Sequence, residues 1–283
     1  MFTKEKIDEI ITAVKVADSY SLGAHWVYDE TQLKELPINW ERLNAPHAMW
    51  HRGKNAGDFT HIGDQLQWLD EYVQDKSSFE PLDYLTFWQE EMATYDGYID
   101  GATRNTLANI EAGNNIGSDS DDFSVIGRIA PLLIVSKDEN DFIQNVENFV
   151  KLSHNSENVI ASAKFFAHLL LPASDGKNIE EKINTLKNDF NPFVAQAIEN
   201  GLNSKGQNTF DTIRAFGPAC GVDEGFSSII HLLVTYSNNL KELLLQNAKA
   251  GGDTSSRAMV ATMIFVANQS SEDLPQEWFD INC

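Results

Sequence analysis

Apolar residues recur along this chain at the spacing of α-helices. Residues 4–22 place Ile7, Ile10, Ile11 and Val14 three or four positions apart, which predicts a helix with one buried face. Further segments up to residue 267 repeat this spacing, and no stretch alternates as a half-buried strand would. The pattern predicts an all-α fold, with one domain over residues 1–283 and many short-to-medium helices around one core.

Three segments interrupt the helical pattern. Residues 30–62 hold prolines, glycines and large rings, which predicts a long loop. Residues 172–205 are polar and weakly helical, which predicts a surface insertion. Residues 269–283 form a polar tail, from which Trp278 and Phe279 are expected to dock on the core.

Two glycine–aspartate pairs precede predicted helices. In Gly251-Gly252-Asp253 the glycines allow a tight turn, and Asp253 with the hydroxyl residues 254–256 predicts a carboxylate at a helix start. Gly63-Asp64 repeats the pattern, so Asp64 and Asp253 are candidate oxygen ligands for Mg²⁺ or Ca²⁺. Two unrelated N-caps are the alternative, because aspartate and the hydroxyl residues are preferred caps.

Other polar residues stand where a partner or a ligand is needed. Asp18 lies beside the apolar stripe of the first helix, and Arg128 lies inside an apolar run, so both charges need compensation. Residues 51–65 form the densest polar cluster of the chain. His154 precedes a helix and is a candidate for the same cleft. For Asp18 and His154, hydrogen bonding to a loop is the alternative. No spaced Cys/His metal motif occurs.

Composition narrows the possible functions. The 283 residues carry a net charge of −21, which disfavours nucleic acids and anionic membranes as partners. The two cysteines, Cys220 and Cys283, make a disulfide framework unexpected, and there is no run of about 18 apolar residues. Without a signal-peptide pattern, the cytoplasm is the expected location.

The order of these motifs resembles the ADP-ribosylglycohydrolase family, and the resemblance covers nearly the whole chain. It implies a single-domain orthogonal multi-helix bundle that holds two Mg²⁺ ions in a cleft and hydrolyses bonds of ADP-ribose. The segments that carry the resemblance are Ala17-Asp18 with Leu22-Gly23-Ala24, Gly63-Asp64, Arg128-Ile129-Ala130-Pro131-Leu132, Ser153-His154, and Gly251-Gly252-Asp253-Thr254.

Three departures from the family pattern affect its chemistry. Gly63 stands in the segment that corresponds to the family's Thr-Asp-Asp-Thr motif, and Ser255 replaces the second aspartate of Gly-Gly-Asp-x-Asp-Thr. The remaining metal ligands, Asp64, Asp253 and Ser256, are expected to hold one Mg²⁺ ion or none. Three acids in residues 117–122 would repel a pyrophosphate, which family members bind at this loop.

The resemblance implies a hydrolase acting on an N- or O-glycosidic bond of ADP-ribose or a related small glycosyl or nucleotide substrate. The alternative is a catalytically silent member that binds a ligand or has a structural role, since some superfamily members are lens proteins. The partner is expected to be a small molecule, and the oligomeric state stays open. The candidate catalytic residues are Asp64, Asp58 and His61, and the candidate substrate-binding residues are Asp18, His25, Ser118, Arg128 and His154.

Overall fold

The described part of the chain consists of helices joined by short loops. A computed structural model describes residues 1–172 and 176–282, so Cys283 and residues 173–175 of the predicted insertion lie outside it. Three 3₁₀ helices span Met49–His51, Ser124–Arg128 and Gln276–Phe279. The α-helices are α1 Lys4–Ser21, α2 Glu30–Glu35, α3 His61–Val73, α4 Pro81–Thr94, α5 Gly101–Glu111, α6 Leu132–Val135, α7 Glu139–Ser153, α8 Glu157–Leu170, α9 Ile179–Leu186, α10 Pro192–Asn203, α11 Thr209–Phe216, α12 Val222–Thr235, α13 Leu240–Ala250 and α14 Thr254–Asn268.

The prediction of an all-α single domain is confirmed. Within the described ranges the only β-type pairings are two isolated bridges, Ser118 with His154 and Asp122 with Gly221. One large cluster of buried apolar side chains extends from α1 to α14, while Leu33 of α2 packs in a small separate cluster with Ala24 and Val27. Burying a large apolar side chain contributes about 1.5–3 kcal/mol, so this shared core holds the helices together.

Helices α1 and α14 form the central pair of the fold and run antiparallel. The Lys6 ammonium donates to the carbonyl of Gln269, which joins the start of α1 to the end of α14. At the other end, the Thr254 hydroxyl donates to the carbonyl of Ser21. Every residue of α14 from Thr254 to Ala267 is buried, so its polar first turn must find partners inside the protein.

The structure corrects two predictions: that residues 30–62 form a loop, and that the next helix begins at Asp64. The predicted loop over residues 30–62 contains α2 and the 3₁₀ helix Met49–His51. Helix α3 begins at His61, before Gly63-Asp64, because the Thr60 side chain accepts hydrogen bonds from the first-turn N–H groups of Ile62 and Gly63. Asp64 is therefore not the cap of its helix, and its carboxylate is available for other contacts.

Residues 172–205 are more helical than their composition predicts. They form α9, which starts with a capping box at Asn178 and Glu181, and α10, whose Val194 and Ile198 are fully buried. The local polar pattern hid these helices because each buries only a narrow apolar stripe. Whether the segment is an insertion stays a prediction.

The tail docks on the core, as predicted for Trp278. The Trp278 ring is fully buried, stacks on Tyr20 with ring centroids 3.9 Å apart, and donates its N–H to the carbonyl of Glu41. Across the described residues, no helix has both the length and the apolar character that a bilayer span requires.

Candidate functional site

The candidate site lies where the end of α1 meets the first turns of α3 and α14. Gly251 and Gly252 take positive φ angles of 69° and 67°, which glycine adopts without steric cost. Their turn is fixed to the loop after α1, because the Trp26 N–H donates to the Gly252 carbonyl and the Gly252 N–H donates to the Val27 carbonyl. This pairing brings His25 and Asp253 to one place.

Asp18 is the hydrogen-bonded centre of this junction. It is fully buried and accepts from the N–H of Thr60 at 2.8 Å, from the Thr60 hydroxyl at 2.6 Å, and from the Ser255 hydroxyl. Burial raises the pKa of Asp18 to about 6, although these hydrogen bonds favour the charged form. The contacts join α1, α3 and α14, and they match the predicted alternative of a buried aspartate bonded to a loop backbone.

Gly63 and Ser255, the two positions at which the sequence departs from the acids of the family pattern, both lie against the Asp18 carboxylate. A side chain at Gly63 would place its Cβ 2.1 Å from the Asp18 carboxylate and 2.8 Å from the Phe59 Cβ, so residue 63 has no room for an acid. Ser255 donates to the same carboxylate. A carboxylate at either position would put two buried negative charges in contact.

Asp64 forms an ion pair at the rim of the junction. The Lys54 ammonium lies 2.8 Å and 2.6 Å from its two oxygens, and the Tyr95 hydroxyl donates to it at 2.6 Å. Burial raises the pKa of Asp64, and the Lys54 charge opposes that rise. The carboxylate keeps 16 % of its side-chain exposure, so it is the least enclosed of the three aspartates Asp18, Asp64 and Asp253.

Three histidines from separate segments lie together beside this junction. Nitrogen atoms of His25, His51 and His61 all fall within 4.8 Å of one another, and these residues form the histidine cluster. His51 Nε2 and His61 Nδ1 are 3.0 Å apart. Burial lowers the pKa of His25 well below its usual range, that of His51 to about 3 and that of His61 to about 4. The rings are therefore neutral near pH 7.

Asp253 caps α14, as one of the two interpretations predicted. Its Oδ1 accepts from the N–H of Ser256 at 3.2 Å and lies 3.5 Å from His25 Nδ1. Its Oδ2 and the Ser256 hydroxyl have no hydrogen-bond partner in the part of the chain that the structure describes, although both are buried. Burial raises the pKa of Asp253 to about 7, aided by Asp122 and opposed by Arg257.

Arg128, His154 and Ser118 lie in a second polar region behind the junction. A guanidinium nitrogen of Arg128 donates to the amide oxygen of Gln65, while its Nε has no partner within residues 1–172 and 176–282. His154 Nδ1 contacts the Ser153 hydroxyl at 2.9 Å, and its Nε2 has no partner within the same ranges. Ser118 donates to the carbonyl of Ser153, so its observed contacts are structural.

Asp58 holds the loop before α3 to the tail. Its carboxylate accepts from the N–H of Asn55 at 2.5 Å and from the Asn282 side chain at 2.7 Å. These contacts favour a structural role, and the predicted catalytic role of Asp58 stays a prediction.

An open cleft lies on the outer side of His51 and Lys54. It has a volume of about 420 Å³, and besides those two residues it is lined by Met49, Trp50, Arg52, Gly53, Asp96, Gly97 and Tyr98. We call it the entrance cleft. Trp50 is 47 % exposed, and its ring meets that of Tyr98 edge to face at a centroid distance of 5.7 Å. The cleft thus combines aromatic faces with two basic side chains and one carboxylate.

Sequence reasoning left several of these residues out of the candidate set. His51 and Lys54 lie inside the polar cluster 51–65 but were not selected, and a lysine among acids in so acidic a chain is a usable signal. Asp100 caps α5 and lies 3.5 Å from His61 Nε2. No local signal marks Asp100 or Tyr95, because their contacts with α3 depend on the tertiary fold.

The carboxylates do not form an oxygen-rich centre. Among the described residues, the histidine cluster is the one group of three or more histidine, cysteine or acidic side chains close enough to share an ion. Asp18 is satisfied by three donors and Asp64 is paired with an ammonium, whereas two Mg²⁺ ions need several anionic oxygens. These residues therefore fit a two-magnesium centre poorly, and the predicted ligands Asp64, Asp253 and Ser256 stay a prediction.

Comparison of the sequence with known proteins finds a matching family model and distant relatives. A family model described as ADP-ribosylglycohydrolase matches residues 3–281. Crystallin J1A from Tripedalia cystophora is 22 % identical over 302 aligned positions, which cover 97 % of this chain and 91 % of the relative. Crystallin J1B from the same organism is 19 % identical over the same shares of both chains.

A solved structure agrees with the family match. It is described as an ADP-ribosylglycohydrolase-related protein complex, and it superposes with a TM-score of 0.75 over 98 % of this chain and 92 % of that chain. The sequence identity is 16 %, so this likeness establishes the fold alone.

Proposed function

The chain belongs to the ADP-ribosylglycohydrolase family, and we propose that it binds a small ADP-ribose-like ligand in the entrance cleft and hydrolyses its glycosidic bond without the family's two-magnesium centre. The observation that carries this proposal is the Asp64–Lys54 pair, in which the lysine lines that cleft and the partly exposed carboxylate is hydrogen-bonded to it. The pair supplies a carboxylate and a fixed cation in one place.

The entrance cleft suits a ligand that has both a ring and a negative charge. Arg52 and Lys54 line it in a chain of net charge −21, where two neighbouring cations stand out. Trp50 and Tyr98 offer aromatic faces for a base or a sugar. Its volume of about 420 Å³ is in the range of small-molecule sites.

Asp64 is the residue best placed to assist water. Its raised pKa and partial exposure suit a general base, which accepts the proton of a water molecule that attacks the anomeric carbon. The glycosidic C–O or C–N bond breaks in the same reaction, and the leaving group takes its proton from solvent. The Lys54 ammonium favours the ionised form of Asp64, which opposes the rise of its pKa, and attracts the phosphates of the ligand. His61 is buried behind this pair, so we propose a positioning role for it and for its neighbour His25.

The inner residues predicted to bind substrate do not line the entrance cleft. Asp18 keeps α3 in place through Thr60, and Ser118 is held by Ser153. Arg128 and His154 are buried behind the junction, so we propose a supporting role for them too.

Ligand binding tests the first half of the proposal. ADP-ribose should raise the melting temperature of the wild-type protein, since a ligand that binds only the native state stabilises it by mass action. The doubly substituted Trp50→Ala, Arg52→Ala protein should lose most of this shift. Its matched control is Trp40→Ala, Arg42→Ala, which alters the same residue types outside the cleft. Equal shifts in all three proteins would contradict binding in the entrance cleft.

The crystallin relatives favour a second candidate function, a catalytically silent protein with a binding or structural role. Its structural support is the saturated Asp18 centre, in which the positions of two family acids are closed to metal. Ligand binding without turnover would favour this candidate. The absence of nucleic-acid partners stays a prediction from the charge of the chain, and a cytoplasmic location stays a prediction from its cysteine usage and the lack of a signal-peptide pattern.

A further inference from the structure

Two ring nitrogen atoms of the histidine cluster make no hydrogen bond with the described residues. His25, His51 and His61 come from the loop after α1, the 3₁₀ helix Met49–His51 and the first residue of α3, and all are at most 3 % exposed. His25 Nε2 and His51 Nδ1 are buried without any hydrogen-bond partner among the described residues. Unpaired buried nitrogen atoms cost free energy, which a bound ligand would recover.

Carboxylates lie behind two of the three rings. Asp253 Oδ1 is 3.5 Å from His25 Nδ1, and Asp100 Oδ2 is 3.5 Å from His61 Nε2. In His61 the opposite nitrogen, Nδ1, meets His51 Nε2, and in His25 the opposite nitrogen, Nε2, is left without a partner among the described residues. A carboxylate on the outer nitrogen is the arrangement that orients metal-binding histidines in proteins.

A strained aromatic residue closes the cluster. Trp26 has a φ of 61°, the one positive φ outside glycine among the described residues, and a bulky side chain adopts this region rarely. Its ring stacks on His25 at 4.8 Å and lies 5.1 Å from the His61 ring. Strain of this kind persists only where the surroundings enforce it, often at functional sites.

We propose that His25, His51 and His61 bind one divalent transition-metal ion, such as Zn²⁺, next to the entrance cleft. Imidazole nitrogen is a preferred ligand of Zn²⁺, Co²⁺, Ni²⁺ and Cu²⁺, whereas Mg²⁺ and Ca²⁺ prefer oxygen. Three histidines leave a fourth position open, as in sites where zinc also binds water. His51 lines the entrance cleft, so an ion reaches the site from there.

Binding requires small movements of the rings. Nitrogen atoms around a tetrahedral zinc lie about 3.3 Å apart, given Zn–N bonds of about 2.0–2.1 Å. The cluster spans up to 4.8 Å, so ring rotations must bring its atoms closer. His25 must also carry its proton on Nδ1, facing Asp253, instead of accepting the N–H of Ser255 at 3.2 Å.

This site goes beyond the proposed hydrolysis, because Asp64 and Lys54 are outside the cluster and the hydrolytic proposal needs no metal. The two proposals can therefore fail separately. A metal-free protein that still hydrolyses its substrate would leave the first proposal intact, and a zinc-binding protein without turnover would leave the second intact.

Cobalt titration of the tag-free wild-type protein tests the site directly. One Co²⁺ per chain should bind and give the intense visible absorption of a four-coordinate, nitrogen-rich site, and one equivalent of Zn²⁺ should displace it. Added Mg²⁺ should leave the spectrum unchanged. Only weak absorption typical of six-coordinate Co²⁺, or no saturation at one equivalent, would overturn the proposal.

Substitutions then assign the ligands. His51→Gln should weaken Zn²⁺ binding by more than about 100-fold, and Asp100→Asn, which leaves all three rings in place, by about 10–100-fold. His168→Gln, outside the cluster, should bind like the wild type. If His51→Gln does not fold, Asp100→Asn and the wild-type cobalt spectrum still decide. Unchanged affinity in a folded His51→Gln protein would refute the assignment.

Discussion

Asp18 shows how a single residue determines what the site can bind. Its carboxylate accepts three hydrogen bonds in full burial, and they come from residues 60 and 255, far apart in the chain. These donors occupy the oxygens that a metal ion would need. The residue is therefore best understood as a joint between α1, α3 and α14.

The stability contribution of Asp18 should depend on pH. Its pKa is about 6 in the folded protein and 3.8 for a solvent-exposed aspartate, as in the unfolded chain, so the folded state binds more protons between these values. Stability from this group is fully present below pH 3.8 and decreases as pH rises to about 6. The amide of the Asp18→Asn variant does not titrate, so this variant does not undergo that decrease in stability.

The destabilisation caused by Asp18→Asn should accordingly be smaller at pH 7 than at pH 4.5, by roughly 2 kcal/mol. Urea unfolding of both proteins at the two pH values measures it. A difference that is constant or grows with pH would contradict the raised pKa.

Lys54 should matter because it neutralises a half-buried acid. Lys54→Met leaves Asp64 with the Tyr95 hydroxyl as its remaining partner, which should lower the free energy of unfolding by about 1–3 kcal/mol at pH 7. Lys34→Met breaks the exposed pair with Glu30 and should change stability by less than about 1 kcal/mol. Equal effects in chemical denaturation would show that the Lys54 pair is an ordinary surface contact.

At the scale of elements, two helix starts build the site. The sequence predicted a capping aspartate at α14, and Asp253 does cap it. The same pattern gave the wrong start for α3, because the sequence alone does not show whether a glycine–aspartate pair precedes a helix or lies within its first turn. Thr60 was the better cap, but only its contact with Asp18 makes that evident.

The closeness of α1 and α3 gives a prediction for Gly63. Gly63→Ala should lower stability by about 1–3 kcal/mol, because its Cβ would overlap the Asp18 carboxylate at 2.1 Å. Gly101→Ala is the matched control: it lies at the start of α5 and its nearest neighbour is 3.9 Å away. The control should be neutral or stabilising by up to about 1 kcal/mol. Thermal unfolding that ranks the two variants in reverse would contradict this packing.

At the scale of the whole molecule, the sequence predicted the fold class but few of the side-chain contacts at the candidate site. Helical spacing and the order of the motifs were sufficient to predict the all-α fold, because both are visible in the sequence without knowledge of tertiary contacts. The histidine cluster could not be predicted in this way, since His25 joins His51 and His61 only through the turn that pairs Trp26 with Gly252. The Asp64–Lys54 pair needed side-chain directions that spacing does not give.

Activity with and without magnesium tests the central proposal most directly. Release of ADP-ribose from a glycosidic substrate should be measured with metal-depleted protein, with and without added Mg²⁺, for the wild type, Asp64→Asn and the control Asp70→Asn. We expect turnover that Mg²⁺ does not change, that Asp70→Asn retains and that Asp64→Asn lowers by about 10²–10⁴-fold. Turnover that depends on Mg²⁺, or that survives Asp64→Asn, would contradict the proposal.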